Sequence, residues 1–398
     1  MTIFQGFKSK IINFQTEIEP MISRTIEKKL LEQIDHKKAI LIFGPRQVGK
    51  TTLVKDLVKK IGEEFVYFNG DEVITRNLWR NSEIPALIQS LGDKKLVILD
   101  EAQMVEEIGS ICKQIIDAEL GIQLILTGSS ALNMANLTQE PLTGRKWEYF
   151  LYPISCAELI GYAGVPDLLR KLSQYLVYGT YPEVATNLNN AQQILNNLAS
   201  SYLYKDVLSL TGLKKPLLLE KILRALAWQV SGEVSLNEIA QMVGADTKTV
   251  DSYIHLLEQV YVVYRLGAYS GNLRNEINRK KKIYFYDNGV RNALIGNYSL
   301  PDNRNDIGAL WENFLLTERK KLLAYNGFYG RTYFWRSNAQ AEIDYIEEID
   351  GKLYAYEFKW NPANKTKFPQ SFIEAYKPTI TEVIHRDNFW QWLKDYPY

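Results

Sequence analysis

The segment Gly44-Pro45-Arg46-Gln47-Val48-Gly49-Lys50-Thr51-Thr52 sets two glycines, a lysine and hydroxyls at the spacing of a phosphate-binding loop. Gly44 and Gly49 let the backbone curl until successive N–H groups converge on one anion, and a helix starting at Lys50 adds its positive end. Lys50 supplies a point charge for the β and γ oxygens of ATP, and the Thr51 hydroxyl is a ligand for Mg²⁺. Pro45, Arg46, Gln47, Val48 and Thr52 complete the expected nucleotide-binding segment.

The apolar run Leu96-Val97-Ile98-Leu99 ends in Asp100-Glu101. That arrangement projects two carboxylates from the carboxyl edge of a buried strand, where α/β sheets bind ligands. Asp100 is the expected holder of the Mg²⁺ water shell, and Glu101 the base or positioner for the attacking water. Leu124-Ile125-Leu126-Thr127-Gly128-Ser129 ends another strand in hydroxyls. Thr127 or Ser129 then touches the γ-phosphate or the water, or these residues simply end the strand. Arg145, in Leu142-Thr143-Gly144-Arg145, is either an arginine finger offered to a neighbouring copy or an ordinary surface arginine.

A second concentration of acids lies toward the C-terminus. Asp350-Gly351 separates the alternating runs 341–349 and 352–360 and is a strong two-residue hairpin signal. With that turn Ile349 faces Lys352, Asp344 lies opposite Glu357, and Glu342 lies opposite Lys359, all four on one face. Ile343, Tyr345, Tyr356 and Phe358 take the core face. Opposed Asp and Glu repel unless a cation sits between them. A second Mg²⁺ or Mn²⁺ on Asp344 and Glu357 meets that need, with Lys359 orienting or activating a water. The alternative is a solvated face on which Glu342 pairs with Lys359 and the other two acids stay apart.

The elements that must position these groups follow from periodicity. Ala39–Phe43, Phe65–Phe68, Leu96–Leu99, Leu124–Thr127 and Tyr149–Leu151 read as strands with helical segments between most of them, a doubly wound α/β domain over 1–152. Residues 153–230 turn helical (Asp167–Val177, Ala191–Leu210, Pro216–Val230). Ser235 and Asp246 then cap two short helices that precede a β-ribbon, which reads as a winged helix-turn-helix over 231–286. Its second helix begins with one base and two acids. The ribbon gathers Arg274, Arg279, Lys280, Lys281 and Lys282 beside Tyr284 and Tyr286. Such a tip grips DNA, or the module couples domains or binds a protein partner. A last α/β region, 287–398, holds a helix at Ala309–Tyr325 and the carboxylate hairpin.

The 398 residues exceed one ordinary core, and 47 Lys plus Arg against 46 Asp plus Glu leave a net charge of +1, so nucleic-acid contact requires a local patch. Two cysteines (Cys112, Cys156) and three histidines (His36, His255, His385) are too few for a Cys/His zinc centre or a disulfide framework, which points to the cytoplasm. The N-terminus carries acids and no long apolar stretch, and no run approaches a membrane span.

In order along the chain, GPRQVGKTTL, LVILDEAQ, LILTGSSA and LTGR resemble the prokaryotic AAA-type ATPases, within the P-loop class that has an extra catalytic glutamate. The resemblance covers about residues 20 to 360. It implies ATP hydrolysis, and a sheet in which the TGSS strand lies between the phosphate-loop strand and the Asp-Glu strand. It also implies a C-terminal domain of unknown function related to PD-(D/E)XK nucleases. Asp344, Glu357 and Lys359 match the D…ExK arrangement of those nucleases, and Glu312 matches the acid they supply from a helix. Homo-oligomers, DNA and a protein partner are the associations this likeness leaves open.

Overall fold

Ala39–Phe43 is apolar on both faces, and every one of its residues is buried as strand β1. The computed structural model describes residues 22–81, 83–129, 142–202, 215–270, 281–364, 366–394 and 396. They form two compact units: one takes 22–43, 50–128 and 142–149, and the other takes 44–49, Ser129 and the chain from Phe150 onward.

In the first unit the order is α1 (Ile26–Glu32), β1, α2 (Lys50–Ile61), β2 (Phe65–Asn69), α3 (Val73–Asn81), α4 (Ile84–Leu91), β3 (Leu96–Asp100), α5 (Ile108–Asp117), β4 (Gln123–Gly128) and β5 (Lys146–Phe150). The sheet order is β2-β3-β4-β1-β5. β1 pairs with β4, β4 with β3, and β3 with β2, all in parallel. The TGSS-bearing strand β4 thus lies between the phosphate-loop strand and the Asp-Glu strand, the order that the resemblance implied. Parallel strands covered on both faces carry continuous apolar runs, and β3 and β4 are buried throughout.

The second unit opens with α6 (Cys156–Tyr178), whose Ser155–Glu158 capping box fixes its start and whose path breaks at Gly164 (φ 82°), just before Pro166. There follow α7 (Pro182–Thr186), α8 (Ala191–Asn197) and α9 (Pro216–Trp228). α8 ends at Asn197 and passes into one wider turn, Leu198–Tyr202, and the remainder of the helix expected to reach Leu210 falls on residues that are not described. Residues 203–214 lie outside the described residues. Next come β6 (Glu233–Val234), α10 (Leu236–Val243), α11 (Thr247–Gln259), β7 (Val263–Ala268), β8 (Lys281–Phe285), α12 (Asn288–Ile295) and α13 (Ile307–Asn326). Ser235 and Asp246 cap α10 and α11 by accepting the N–H groups of Glu238 and Thr249. The chain ends with β9 (Arg331–Arg336), β10 (Glu342–Ile349), β11 (Lys352–Lys359), α14 (Gln370–Tyr376), β12 (Ile380–His385) and α15 (Phe389–Trp392).

One seven-stranded sheet, β12-β11-β10-β9-β7-β8-β6, runs through this unit. β7 pairs with β9 in parallel through Gly267–Tyr333 and Ala268–Phe334. The boundary expected at 286/287 therefore falls inside continuous structure, because the ribbon and the carboxylate hairpin share a sheet. Asp350 and Gly351 both take positive φ (51° and 72°), the primed turn their sequence favours. The expected register holds from Ile349–Lys352 to Tyr345–Tyr356. Of the basic ribbon, Arg274, Arg279 and Lys280 lie outside the described residues; Lys281 is exposed, whereas Lys282 is only 3% exposed. No helix among the described residues is long and apolar enough to cross a membrane.

Candidate nucleotide site and carboxylate cluster

The phosphate-binding loop joins β1 to α2 with left-handed torsions at Gly44 (φ 152°), Gln47 (φ 58°) and Gly49 (φ 94°). A Cβ on Gly44 would lie 2.2 Å from the Leu151 carbonyl oxygen, so glycine is required there by space as well as torsion. Pro45 and Val48 are buried, Arg46 and Gly49 half-buried, and Gln47 and Thr52 exposed. Lys50, 5% exposed, begins the twelve-residue helix α2.

Asp100 is 5% exposed and gathers three hydroxyls. Thr51 donates to its Oδ2 at 2.7 Å, Tyr67 from β2 donates to the same oxygen at 2.7 Å, and Thr127 from β4 donates to Oδ1. Thr51 and Asp100 are hard oxygen donors held together, a set that suits Mg²⁺. Burial, and secondly the bond to Asp100, raise the Tyr67 phenol above its usual range, so it stays a donor. Thr127 also receives the Glu101 N–H at 3.1 Å, which commits its hydroxyl to tying β3 to β4. Ser129, 5% exposed, follows β4.

Glu101 takes a left-handed backbone (φ 50°, ψ 44°), unusual for a residue with a side chain. Its carboxylate accepts from Gln103 Nε2. Behind it, Gly70 donates its N–H to the Asp100 carbonyl at 2.8 Å, and a Cβ there would stand 2.3 Å from the Glu101 carbonyl oxygen. Arg145 is 39% exposed at its side chain, and its guanidinium pairs with Asp117 of α5.

In the second unit the carboxylates meet ammonium groups. Lys359 Nζ lies 2.9 Å from Glu357 and 3.6 Å from Asp344, and Asp344 also accepts the Phe358 N–H at 2.8 Å. Glu342, expected on Lys359, instead meets Lys282 Nζ at 2.5 Å, with Arg336 at 3.9 Å. A register shift between Ile343 and Ile346, where β10 pairs with β9, lies at this point of the strand. Glu312 accepts from Lys282 at 3.0 Å and from the Tyr284 hydroxyl at 2.6 Å. Burial pushes Glu312 and Glu357 up to about 7, and the Asp344 charge adds to both. Burial opposes the charge of Lys282, but Glu312, Glu342 and Asp344 outweigh it and raise its pKa. Among the described residues no three acids, histidines or cysteines are grouped to enclose a metal ion. Glu312, Asp344 and Glu357, the acids expected around a second divalent ion, are thus arranged around amino cations and do not fit that ion as they stand.

Sequence reasoning missed Tyr67 and Gln103, and it set Lys282 and Tyr284 on a basic ribbon tip rather than beside Glu312. Lys282 and Tyr284 stand two apart on β8, so they share a face and reach one carboxylate; that spacing was the available signal.

With this geometry in view, residues 36–160 match the model of an AAA domain, and this part of the chain is an AAA-type ATPase domain. Residues 169–300 and 307–394 each match a domain of unknown function. An uncharacterised protein of Mycobacterium tuberculosis is 27% identical over 338 residues, 83% of this chain and 72% of the relative. One from Haemophilus influenzae is 26% identical over 297 residues, 69% of this chain and 74% of the relative. The Replication factor C large subunit of Thermococcus kodakarensis is 34% identical over 104 residues, 26% of this chain and 21% of that one. Among solved structures, the Aeropyrum pernix ORC1 protein in complex with DNA covers 72% of this chain and 95% of its own, at 16% identity and a TM-score of 0.35. The Thermotoga maritima RuvB Holliday junction branch migration motor covers 61% and 89%, at 19% identity and a TM-score of 0.33.

Proposed function

We propose that this protein binds ATP with Mg²⁺ at residues 44–52 and hydrolyses it. The observation that carries the reading is the hydrogen bond from Thr51 to Asp100, which brings the two ends of the expected metal site together. The loop amides and Lys50 neutralise the β and γ phosphates, and Thr51 and Asp100 hold the ion or its water shell. The ion supplies charge neutralisation on the phosphate oxygens. Glu101, once parted from Gln103, takes the proton of the attacking water, while Ser129 contacts the γ-phosphate or that water. Turnover of wild type, Lys50→Ala and Glu101→Gln tests this. Glu101→Gln should bind ATP while losing roughly 10²–10⁴-fold in rate; absence of any ATP affinity by calorimetry in the wild type refutes the reading.

For the work coupled to hydrolysis we propose contact with DNA through α10, α11 and the β7–β8 ribbon, read as a winged helix. Duplex or single-stranded DNA should then stimulate turnover. Arg145 belongs to the same proposal as a finger in a homo-oligomer, on condition that Asp117 releases it.

The second reading is a slow ATP-driven switch that governs a protein partner, in which the nuclease-like part does not cut. The pairing of Glu312, Glu342, Asp344 and Glu357 with Lys282 and Lys359 favours it. Nucleotide-dependent assembly with weak, DNA-independent turnover distinguishes it from the first.

A further inference from the structure

Lys282 is a lysine where a solvated ribbon residue was expected. Its side chain is 3% exposed, and its ammonium lies 3.0 Å from Glu312 and 2.5 Å from Glu342. The ring of Phe334 covers it at 5.3 Å from the centroid. Removing an ammonium from water costs several kcal/mol unless anions compensate. Here two carboxylates from different elements, α13 and β10, compensate it. Tyr284 turns a hydroxyl onto Glu312, and Arg336 stands beside Glu342 and reaches Glu233 at 3.5 Å. Lys359 serves Asp344 and Glu357 in the same way.

We propose that Lys282 is the built-in cation of this cluster: it holds the place between Glu312 and Glu342 that a divalent metal would need, and so keeps the folded domain free of one. The inference rests on reading Asp344, Glu357 and Lys359 as a nuclease-like constellation, and it adds a reason for that constellation to stand without metal. Two features of the contacts support it. Carboxylate oxygens gathered at hydrogen-bond distance around a nitrogen stand wider than the roughly 2.1 Å shell of Mg²⁺. An incoming ion would also have to expel a buried ammonium whose charge its neighbours stabilise. Lys282 lies on the ribbon strand, far from the acids in sequence, so the ribbon and the hairpin are joined by charge as well as by the shared sheet.

The experiment is a Mn²⁺ titration of the nucleotide-free full chain, followed by electron paramagnetic resonance. Mn²⁺ is assigned to the cluster when Asp344→Asn removes it. Wild type should take up none there, whereas Lys282→Met should gain one ion per chain, with affinity at least about tenfold above wild type. Adding Glu312→Gln should abolish the gain. If Lys282→Met fails to fold, Lys282→Gln removes the charge while keeping a polar side chain and leaves Glu312, Glu342, Asp344 and Glu357 in place, and the same gain is expected. Uptake by wild type that Asp344→Asn abolishes overturns the proposal, and so does a folded Lys282 variant that takes up no Mn²⁺. Neither result touches the ATPase reading, which concerns residues 44–52, Asp100 and Glu101 and is measured by turnover.

Discussion

The Thr51 hydroxyl and the Tyr67 hydroxyl donate to the same Asp100 oxygen, each at 2.7 Å. Asp100 is therefore positioned from the loop side and from the neighbouring strand at once. Groups that orient a metal-binding carboxylate typically contribute 10–100-fold to affinity or rate. Tyr67→Phe should raise the Mg²⁺ concentration needed for half-maximal turnover by roughly tenfold or more, with a stability change near 1 kcal/mol. Thr51→Ala should cost more, since in the proposed site it removes a metal ligand as well as a donor that orients Asp100. A Mg²⁺ dependence unchanged in Tyr67→Phe would show that the phenol only fills space.

How much of this was legible in the sequence depends on whether local pattern or distant pairing decides. β1, β3 and β4 announce themselves because parallel strands covered on both faces carry unbroken apolar runs, with polar residues only at their ends. The hairpin was legible because Asp-Gly tolerates the two positive φ values of its turn. β12 was not, since half of its residues are exposed and it carries no alternation that marks a buried face. Lys282 looked like one more charge in the run from Arg279. Only the strand's alternation, which turns Lys281 out and Lys282 in, separates them, and which acid it meets is set by α13 and β10.

Arg319 and Glu347 form a bidentate pair (2.8 and 3.0 Å) with both side chains fully buried, and Arg319 also donates to the Trp392 carbonyl at 2.7 Å. Truncating one partner leaves a buried charge without compensation. Arg319→Met should destabilise the second unit by about 3–5 kcal/mol in urea unfolding. Arg319→Met/Glu347→Leu should recover most of that loss, because an apolar pair of similar volume has no desolvation to offset. A double variant no more stable than the single one would mean that the pair contributes through shape alone.

Asp287 caps α12 from a buried position, accepting the Thr180 N–H at 2.8 Å and the Val290 N–H at 3.1 Å. Burial pushes its carboxyl up to about 6 against an ordinary 3.8; the N–H donors and Lys321 oppose that rise. The folded state thus binds more protons than the unfolded state between these values. Its contribution is complete below the unfolded value and is lost as pH rises through about 6. Asn at this position also caps but does not titrate. The stability of wild type relative to Asp287→Asn should therefore fall, on the order of 1–3 kcal/mol, from the acid to the neutral side of this window. Urea midpoints at several pH values measure it, and a flat difference would place the titration elsewhere.

Lys320 lines a cavity of about 230 Å³ together with Tyr152, Tyr264, Arg265, Thr332 and Tyr345. Its ammonium stands 4.9 Å from the centre of the Tyr264 ring, and among the described residues no carboxylate lies within ion-pair distance of it. Arg265, on the same wall, is already paired with Asp251 and Glu258. Burial lowers the Lys320 pKa from 10.5. The folded state then binds fewer protons than the unfolded state below that value, so this side chain weakens the fold at neutral pH, and the penalty fades as pH rises toward 10.5. Lys320→Met keeps the apolar stem and removes the charge. It should raise the urea midpoint at pH 7 by the equivalent of about 0.5–2 kcal/mol, and the gain should shrink on the alkaline side. A loss of stability at pH 7 would instead mean that the attraction between the ammonium and the Tyr264 ring exceeds the cost of burying it.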